Sequence, residues 1–155
     1  MESSEARLWI IDDAEDDLQV FRRFLRKHER LCTPSFIESG VQAMELLEQG
    51  DVPDLIILDL RMTPVGGLQI LRAVREKYGG LVPVIMVSGG AEGREVLEAY
   101  DLGANAFIEK PSHHAEFVEL LASTLGFWLR HALRPSGAFA SGELDARPAL
   151  VRRSS

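Results

Sequence analysis

Four short segments of the sequence place a polar side chain directly at the end of an apolar run. These side chains belong to the pair Asp12-Asp13, to Asp59, to Ser88 and to Lys110. In an open α/β sheet the carboxyl ends of the strands meet at one edge, where ligands bind. We therefore expect three carboxylates, one hydroxyl and one ammonium to converge on a single spot, which would suit a divalent cation and a phosphoryl group.

Each of these residue types has a role in phosphoryl chemistry. The carboxylates of Asp12, Asp13 and Asp59 are ligands that a hard cation such as Mg²⁺ prefers, and without a cation they would repel one another. A carboxylate can attack phosphorus and form an acyl phosphate. Because phosphoryl transfer needs in-line positioning and charge neutralisation, Lys110 and the cation would neutralise oxygens while Ser88 donates a hydrogen bond.

The segments between these residues alternate between strand and helix patterns. Apolar runs predict strands at residues 8–11, 35–37, 55–58, 82–87 and 106–108. The apolar stripe Leu18-Phe21-Leu25 predicts the first helix, and the capping pair Ser39 and Gln42 marks the start of the second. The stripe Leu68-Leu71-Val74 predicts the third helix, which Gly79-Gly80 ends, and a short fourth helix is predicted over residues 92–102. The last helix is predicted to be capped by Ser112 and has apolar residues from Phe117 to Trp128. Five strands alternating with five helices imply right-handed βαβ units and a parallel sheet covered on both faces.

Length and composition limit the classes of protein. A chain of 155 residues is one domain by the usual prior, and a net charge of −7 argues against general nucleic-acid binding. Cys32 is the only cysteine, which excludes an intrachain disulfide. The acidic start is unlike a signal peptide and no apolar run approaches the ~20 residues that span a bilayer, so we expect a cytoplasmic protein without membrane contact.

The pattern of elements ends near residue 131. We expect a globular domain over residues 1–131 and a linker or mobile tail over residues 132–155, where prolines, glycines and serines are scattered. That tail is too short for a second domain, so the chain is interpreted either as a stand-alone domain or as one cut in a linker.

The motifs together resemble the receiver domain of two-component response regulators over residues 7–131. The matching motifs are IIDD at 10–13, LDLRM at 58–62, Gly67-Leu68, VSG at 87–89 and FIEKP at 107–111. The intervals of 46, 29 and 22 residues that separate Asp13, Asp59, Ser88 and Lys110 in turn are those of the family. The resemblance implies a flavodoxin-like, doubly wound α/β fold with strand order 2-1-3-4-5 and five helices.

The resemblance also implies a role for each site residue. Asp59 would accept a phosphoryl group from a histidine kinase or a histidine phosphotransfer protein, and Lys110 would bridge Asp59 and that group. Ser88 and Phe107 would form the switch pair. Mg²⁺ or Mn²⁺ would be held by carboxylates and by one backbone carbonyl, from Asp12, Asp13, Asp59 and Arg61.

The implied output is a change in protein binding. The phosphorylated domain would engage a downstream target protein through the face formed by the fourth helix, the last strand and the last helix, and a homodimer through that face is left open. Enzymatic activity would be limited to self-catalysed phosphotransfer and slow dephosphorylation, without direct nucleic-acid binding.

Two other functions fit parts of the pattern. A pseudo-receiver would bind partners without turning over phosphate, but the complete acid set with Ser88 and Lys110 argues against it. A phosphatase-like hydrolase would use Asp59 as nucleophile, yet Arg61 stands where such enzymes often place a second aspartate. The acids that follow Asp13 are interpreted as first-turn residues on a solvated helix face, with Glu15 or Asp16 near the metal as the alternative: Glu15, Asp16 and Asp17.

Overall fold

A computed structural model describes residues 5–134 as alternating strands and helices, which confirms the predicted pattern. The elements are β1 (Arg7–Ile11), α1 (Glu15–Arg26), β2 (Thr33–Ile37), α2 (Gly40–Glu48), β3 (Leu55–Asp59), α3 (Gly67–Tyr78), β4 (Val84–Ser88), α4 (Gly93–Asp101), β5 (Ala106–Glu109), α5 (His114–Gly126) and a π-helical turn (Phe127–His131). Most of the segment interpreted as a linker or tail, residues 135–155, lies outside the described part.

The five strands form one parallel sheet in the order β2-β1-β3-β4-β5, as the resemblance predicted. Ile11 at the end of β1 is aligned with Leu58 of β3, and Ser88 at the end of β4 is aligned with Glu109 of β5. The residues at or just after these strand ends therefore share one edge of the sheet.

Alternate residues of the central strands face two separate cores. Trp9 and Ile11 pack on the face covered by α2, α3 and α4, whereas Leu8 and Ile10 pack on the face covered by α1 and α5. Every residue of β3 and β4 is buried. The central strands are thus covered on both faces, and their polar side chains can reach a ligand only at the carboxyl and amino ends.

The helix boundaries confirm two predictions and correct a third. The Ser39 hydroxyl accepts the Gln42 N–H at 3.1 Å and caps α2, and Gly79, with φ of 59°, ends α3. Ser112 was expected to cap the last helix, which was wrong. The first helical hydrogen bond runs from the Phe117 N–H to the His113 carbonyl at 3.0 Å, so the helix begins one residue too late for Ser112 to cap it.

The edge strand β2 also begins earlier than expected, at Thr33. The Thr33 N–H donates to the Ala6 carbonyl at 2.7 Å, which extends the pairing with β1. The apolar pattern is weak here because β2 lies at the edge, where Pro34 is tolerated. Within residues 5–134, no helix is long and apolar enough to cross a membrane.

Candidate functional site

The polar residues predicted to converge do lie together at the carboxyl edge of the sheet. Asp12 follows β1, Asp59 ends β3 and Ser88 ends β4, and all three side chains are buried. Lys110 follows β5, and its N–H donates to the Ser88 carbonyl at 2.8 Å. The chain therefore brings these four residues to one place through strand pairing, before any side-chain contact is considered.

The Lys110 ammonium is the centre of the hydrogen bonds at this edge. Its Nζ donates to Asp12 Oδ2 at 2.8 Å, to Asp17 Oδ2 at 2.6 Å and to Asp59 Oδ1 at 3.1 Å. Burial opposes the positive charge, but the hydrogen bonds to Asp12 and Asp17 prevail and raise the pKa of Lys110 above its usual value. The ammonium thus remains charged across the physiological range of pH.

The carboxylates carry more negative charge than Lys110 can balance. Oxygen atoms of Asp12, Asp13 and Asp59 lie within 4.8 Å of one another. Burial, followed by the charge of Asp12, raises the pKa of Asp59 to about 6, although Lys110 opposes the shift. Burial likewise raises the pKa of Asp12 against the hydrogen bond from Lys110. Three closely spaced carboxylates, two of them buried, fit a hard divalent cation such as Mg²⁺.

The start of α3 packs directly against the backbone of Asp59. A Cβ at Gly67 would lie 2.2 Å from the Asp59 carbonyl oxygen, which is too close for any residue other than glycine. The Gly67 N–H also donates to the Leu60 carbonyl at 3.0 Å. This close approach holds the end of β3 against α3, and with it the Asp59 carboxylate.

Arg61 extends away from Asp59 toward α4. Its Nη2 donates to Glu95 Oε1 at 2.7 Å and to the Gly90 carbonyl at 3.0 Å. The same Glu95 oxygen accepts the Glu92 N–H at 3.0 Å at the start of α4. The guanidinium therefore links the loop after Asp59 to the first turn of α4.

The residues predicted as a switch pair lie on neighbouring strands. Phe107 is aligned with Met86 and Ser88 with Glu109, so the Ser88 and Phe107 side chains share one face of the sheet. The Phe107 ring is half-buried against the core under α2, α3 and α4. Its backbone N–H donates to the Tyr100 hydroxyl at 3.0 Å, which ties β5 to α4.

One residue of the site was placed wrongly by the sequence interpretation. Asp17 was expected on a solvated helix face, as were Glu15 and Asp16, which are exposed. Asp17 lies one helical turn before Phe21, whose buried ring packs edge-on against Phe117 of α5 at 5.7 Å. This spacing directs Asp17 toward the end of β5, and it was the signal that could have identified the residue.

Comparisons with known proteins agree with the fold. The model of the response regulator receiver domain family matches residues 8–122. The protein-glutamate methylesterase/protein-glutamine glutaminase of Trichodesmium erythraeum is 34% identical over 109 residues, which cover 69% of this chain and 30% of that protein. The transcriptional regulator NtrC of Escherichia coli is 26% identical over 121 residues, covering 78% of this chain and 25% of NtrC.

Among solved structures, the phosphorylated cyanobacterial phytochrome response regulator RcpA matches with a TM-score of 0.80. The match covers 85% of this chain and 99% of that chain at 22% identity, and so shows a shared fold. By contrast, the chain spans less than a third of the length of the curated relatives above.

Proposed function

Because the chain belongs to the response regulator receiver family, we propose that it accepts a phosphoryl group on Asp59 and then changes its binding to another protein. The phosphodonor would be a histidine kinase or a histidine phosphotransfer protein. The observation that carries the proposal is the buried Asp59 carboxylate, held 3.1 Å from Lys110 within the cluster of three aspartates.

Four groups would hold the cation: the carboxylates of Asp12, Asp13 and Asp59 and the backbone carbonyl of Arg61. The donor set supports this assignment because its carboxylate oxygens are close together, and because burial raises the pKa of Asp12 and Asp59. Mg²⁺ or Mn²⁺, when bound, would offset the charge of the carboxylates and of the phosphoryl oxygens.

The transfer step uses the Asp59 carboxylate as nucleophile. A carboxylate oxygen forms the new O–P bond while the P–N bond of the donor phosphohistidine breaks, and that bonding pair stays on the imidazole nitrogen. Lys110 holds its ammonium beside the acceptor carboxylate and neutralises charge on the phosphoryl group. The nearby Ser88 hydroxyl donates a hydrogen bond to a phosphoryl oxygen.

Phosphorylation would shift the domain between two conformations through the contacts of Ser88 and Phe107. In the phosphorylated state the Ser88 hydroxyl moves toward the phosphoryl oxygen, and the Phe107 ring turns into the vacated space. Only the difference in contacts between the two states can drive this shift. We expect the shift to change protein binding at the face formed by α4, β5 and α5. Leu97 and Tyr100 are 68% and 48% exposed on this face and are available for contact with a partner.

The partner of that face would be a downstream target protein, and self-association through it is a further form of output. We propose residues 1–131 as the unit that performs the switch, since helical structure continues to His131. The methylesterase and DNA-binding activities named for the longer relatives belong to those proteins and are not assigned to this chain.

The test is the intact mass of the protein after incubation with acetyl phosphate, with and without Mg²⁺. Wild type should gain a single phosphoryl adduct only when Mg²⁺ is present, and Asp59→Asn should gain none. Asp16→Asn is a matched control, since Asp16 is an exposed aspartate near the same edge. An adduct on Asp59→Asn would refute the assignment, whereas a folded wild type without any adduct would indicate a phosphorylation-independent binding domain.

A further inference from the structure

Lys110 has one carboxylate partner that does not belong to the proposed cation cluster. Asp12 and Asp59 each contact the ammonium and also belong to that cluster, whereas the Asp17 side chain contacts only the ammonium. The Asp17 contact is also the shortest of the three, at 2.6 Å. The structure therefore separates a carboxylate that serves Lys110 from those that would serve a cation.

We propose that Asp17 is a positioning residue that keeps the Lys110 ammonium beside Asp59 when a cation occupies the acid cluster. The inference rests on the proposed function. A divalent cation held by Asp12 and Asp59 would draw their oxygens away from Lys110 and would repel its charge. Asp17 is the carboxylate that still attracts the ammonium in that state.

The first turns of three helices show that Asp17 is used unlike its counterparts. In α3 and α4 the third residue, Gln69 or Glu95, reaches back to the N–H at its own helix start, at 3.0 Å in each case. Asp17 holds the same third position in α1, where it could close such a capping box. Its Oδ2 instead accepts from Lys110, which lies 93 residues further along the chain.

The start of α1 is arranged so that Asp17 is free to make this contact. Ala14, the residue directly before the helix, has no side chain that could cap it, but its N–H donates to Asp12 Oδ1 at 2.9 Å. Asp12 therefore takes over the capping role that Asp17 would have had. The buried side chains of Leu18 and Phe21 then hold the helix in the rotation that directs Asp17 toward Lys110.

Lysine signals can test the contact without any phosphoryl chemistry. The chain has three lysines, Lys27, Lys77 and Lys110, so spectra of protein labelled at lysine Nζ and Cε contain three sets of signals. Lys110→Ala identifies the set of Lys110 by its loss. In the presence of Mg²⁺, Asp17→Ala should shift and narrow the Lys110 signals as the ammonium gains freedom, while Asp16→Ala should leave them unchanged.

The rate of adduct formation from acetyl phosphate tests whether the contact matters for transfer. Asp17→Ala should lower the rate roughly 10- to 100-fold, as expected when a charged group is displaced by about 1 Å. The exposed neighbour Asp16 provides the matched control, because its side chain makes no hydrogen bond or ion pair among residues 5–134. Asp16→Ala removes the same charge from the same turn and should stay within about twofold of wild type.

A double-mutant cycle distinguishes positioning from a general effect on α1. If Asp17 acts through Lys110, Asp17→Ala should have no further effect in the Lys110→Ala background. Additive losses, or unchanged Lys110 signals in Asp17→Ala, would overturn the inference, and so would altered signals without a loss of rate. A wild type that takes no adduct refutes the proposed function instead, and the lysine spectra then still decide whether Asp17 holds Lys110.

Discussion

Two partly buried cations lie at opposite ends of the sheet and are satisfied in opposite ways. Lys110, at the carboxyl end, donates to three carboxylates. Arg75, on α3 near the amino ends of β4 and β5, donates to neutral oxygens only. Its acceptors are the carbonyls of Gly103, Gly79 and Val82 at 2.9, 2.9 and 2.7 Å and Asn105 Oδ1 at 2.8 Å.

The difference shows which end of the molecule is built for a change of charge. Burial lowers the pKa of Arg75 because none of its partners is an anion, yet a guanidinium stays charged and its planar donors link three chain segments. Around Lys110 the hydrogen bonds to carboxylates outweigh burial and raise the pKa. Negative charge remains in excess there, so a further cation or a rearranged anion can be accommodated.

Removal of Arg75 should cause the largest loss of stability at the amino end of the sheet. Arg75→Ala should lower the free energy of unfolding by roughly 3–4 kcal/mol, since several partly buried carbonyls lose a charged donor. Mg²⁺ should not restore the loss. Urea denaturation with and without Mg²⁺ measures both effects, and Arg72→Ala, an exposed arginine one turn earlier, should stay within about 0.5 kcal/mol of wild type.

Removal of Lys110 should give a loss that depends on the cation. Without Mg²⁺, Lys110→Ala leaves the carboxylates uncompensated and should lower stability by about 2–3 kcal/mol. Added Mg²⁺ should stabilise Lys110→Ala more than wild type, because it no longer competes with an ammonium for Asp12 and Asp59. Equal responses of the Arg75 and Lys110 variants to Mg²⁺ would contradict the distinction between the two ends.

Asp59→Asn should stabilise the metal-free protein at pH 7, by on the order of 1–3 kcal/mol. The pKa of Asp59 is about 6 in the fold against 3.8 ordinarily, so the folded state binds the proton more tightly. The free energy of unfolding of wild type therefore falls as the pH rises from the ordinary pKa to the pKa in the fold. The full loss is reached above the pKa in the fold. Thermal unfolding from pH 4 to pH 7.5 should show the advantage of Asp59→Asn shrinking as pH falls.

The smallest change in stability is expected for Tyr100, whose neutral hydroxyl is the hydrogen-bond partner of the Phe107 N–H. Tyr100→Phe removes the hydroxyl that accepts the Phe107 N–H and should cost about 0.5–1 kcal/mol. Hydrogen exchange at the Phe107 amide should accelerate. The Lys110 amide, bonded to the Ser88 carbonyl, is an internal reference that should keep its rate.

The sequence predicted the parts of the site that depend on strand ends and missed those that depend on helix rotation or backbone acceptors. Asp12, Asp59 and Lys110 follow apolar runs whose ends must meet in a parallel sheet. Asp17 required knowledge of which face of α1 meets α5, a matter of packing between distant segments. Three of the Arg75 acceptors are backbone carbonyls, which every residue has, so no residue type could mark them.

The span of chain between the partners of Lys110 has a consequence for synthesis of the protein. Lys110 lies 98 residues after Asp12 and 51 after Asp59, so both acids leave the ribosome long before their ammonium. A nascent chain that ends at β4 already carries the acid cluster without the lysine that balances it. Both loops end at Lys110, so neither can close before β5 has been translated, and the site is completed only when β5 has joined the sheet.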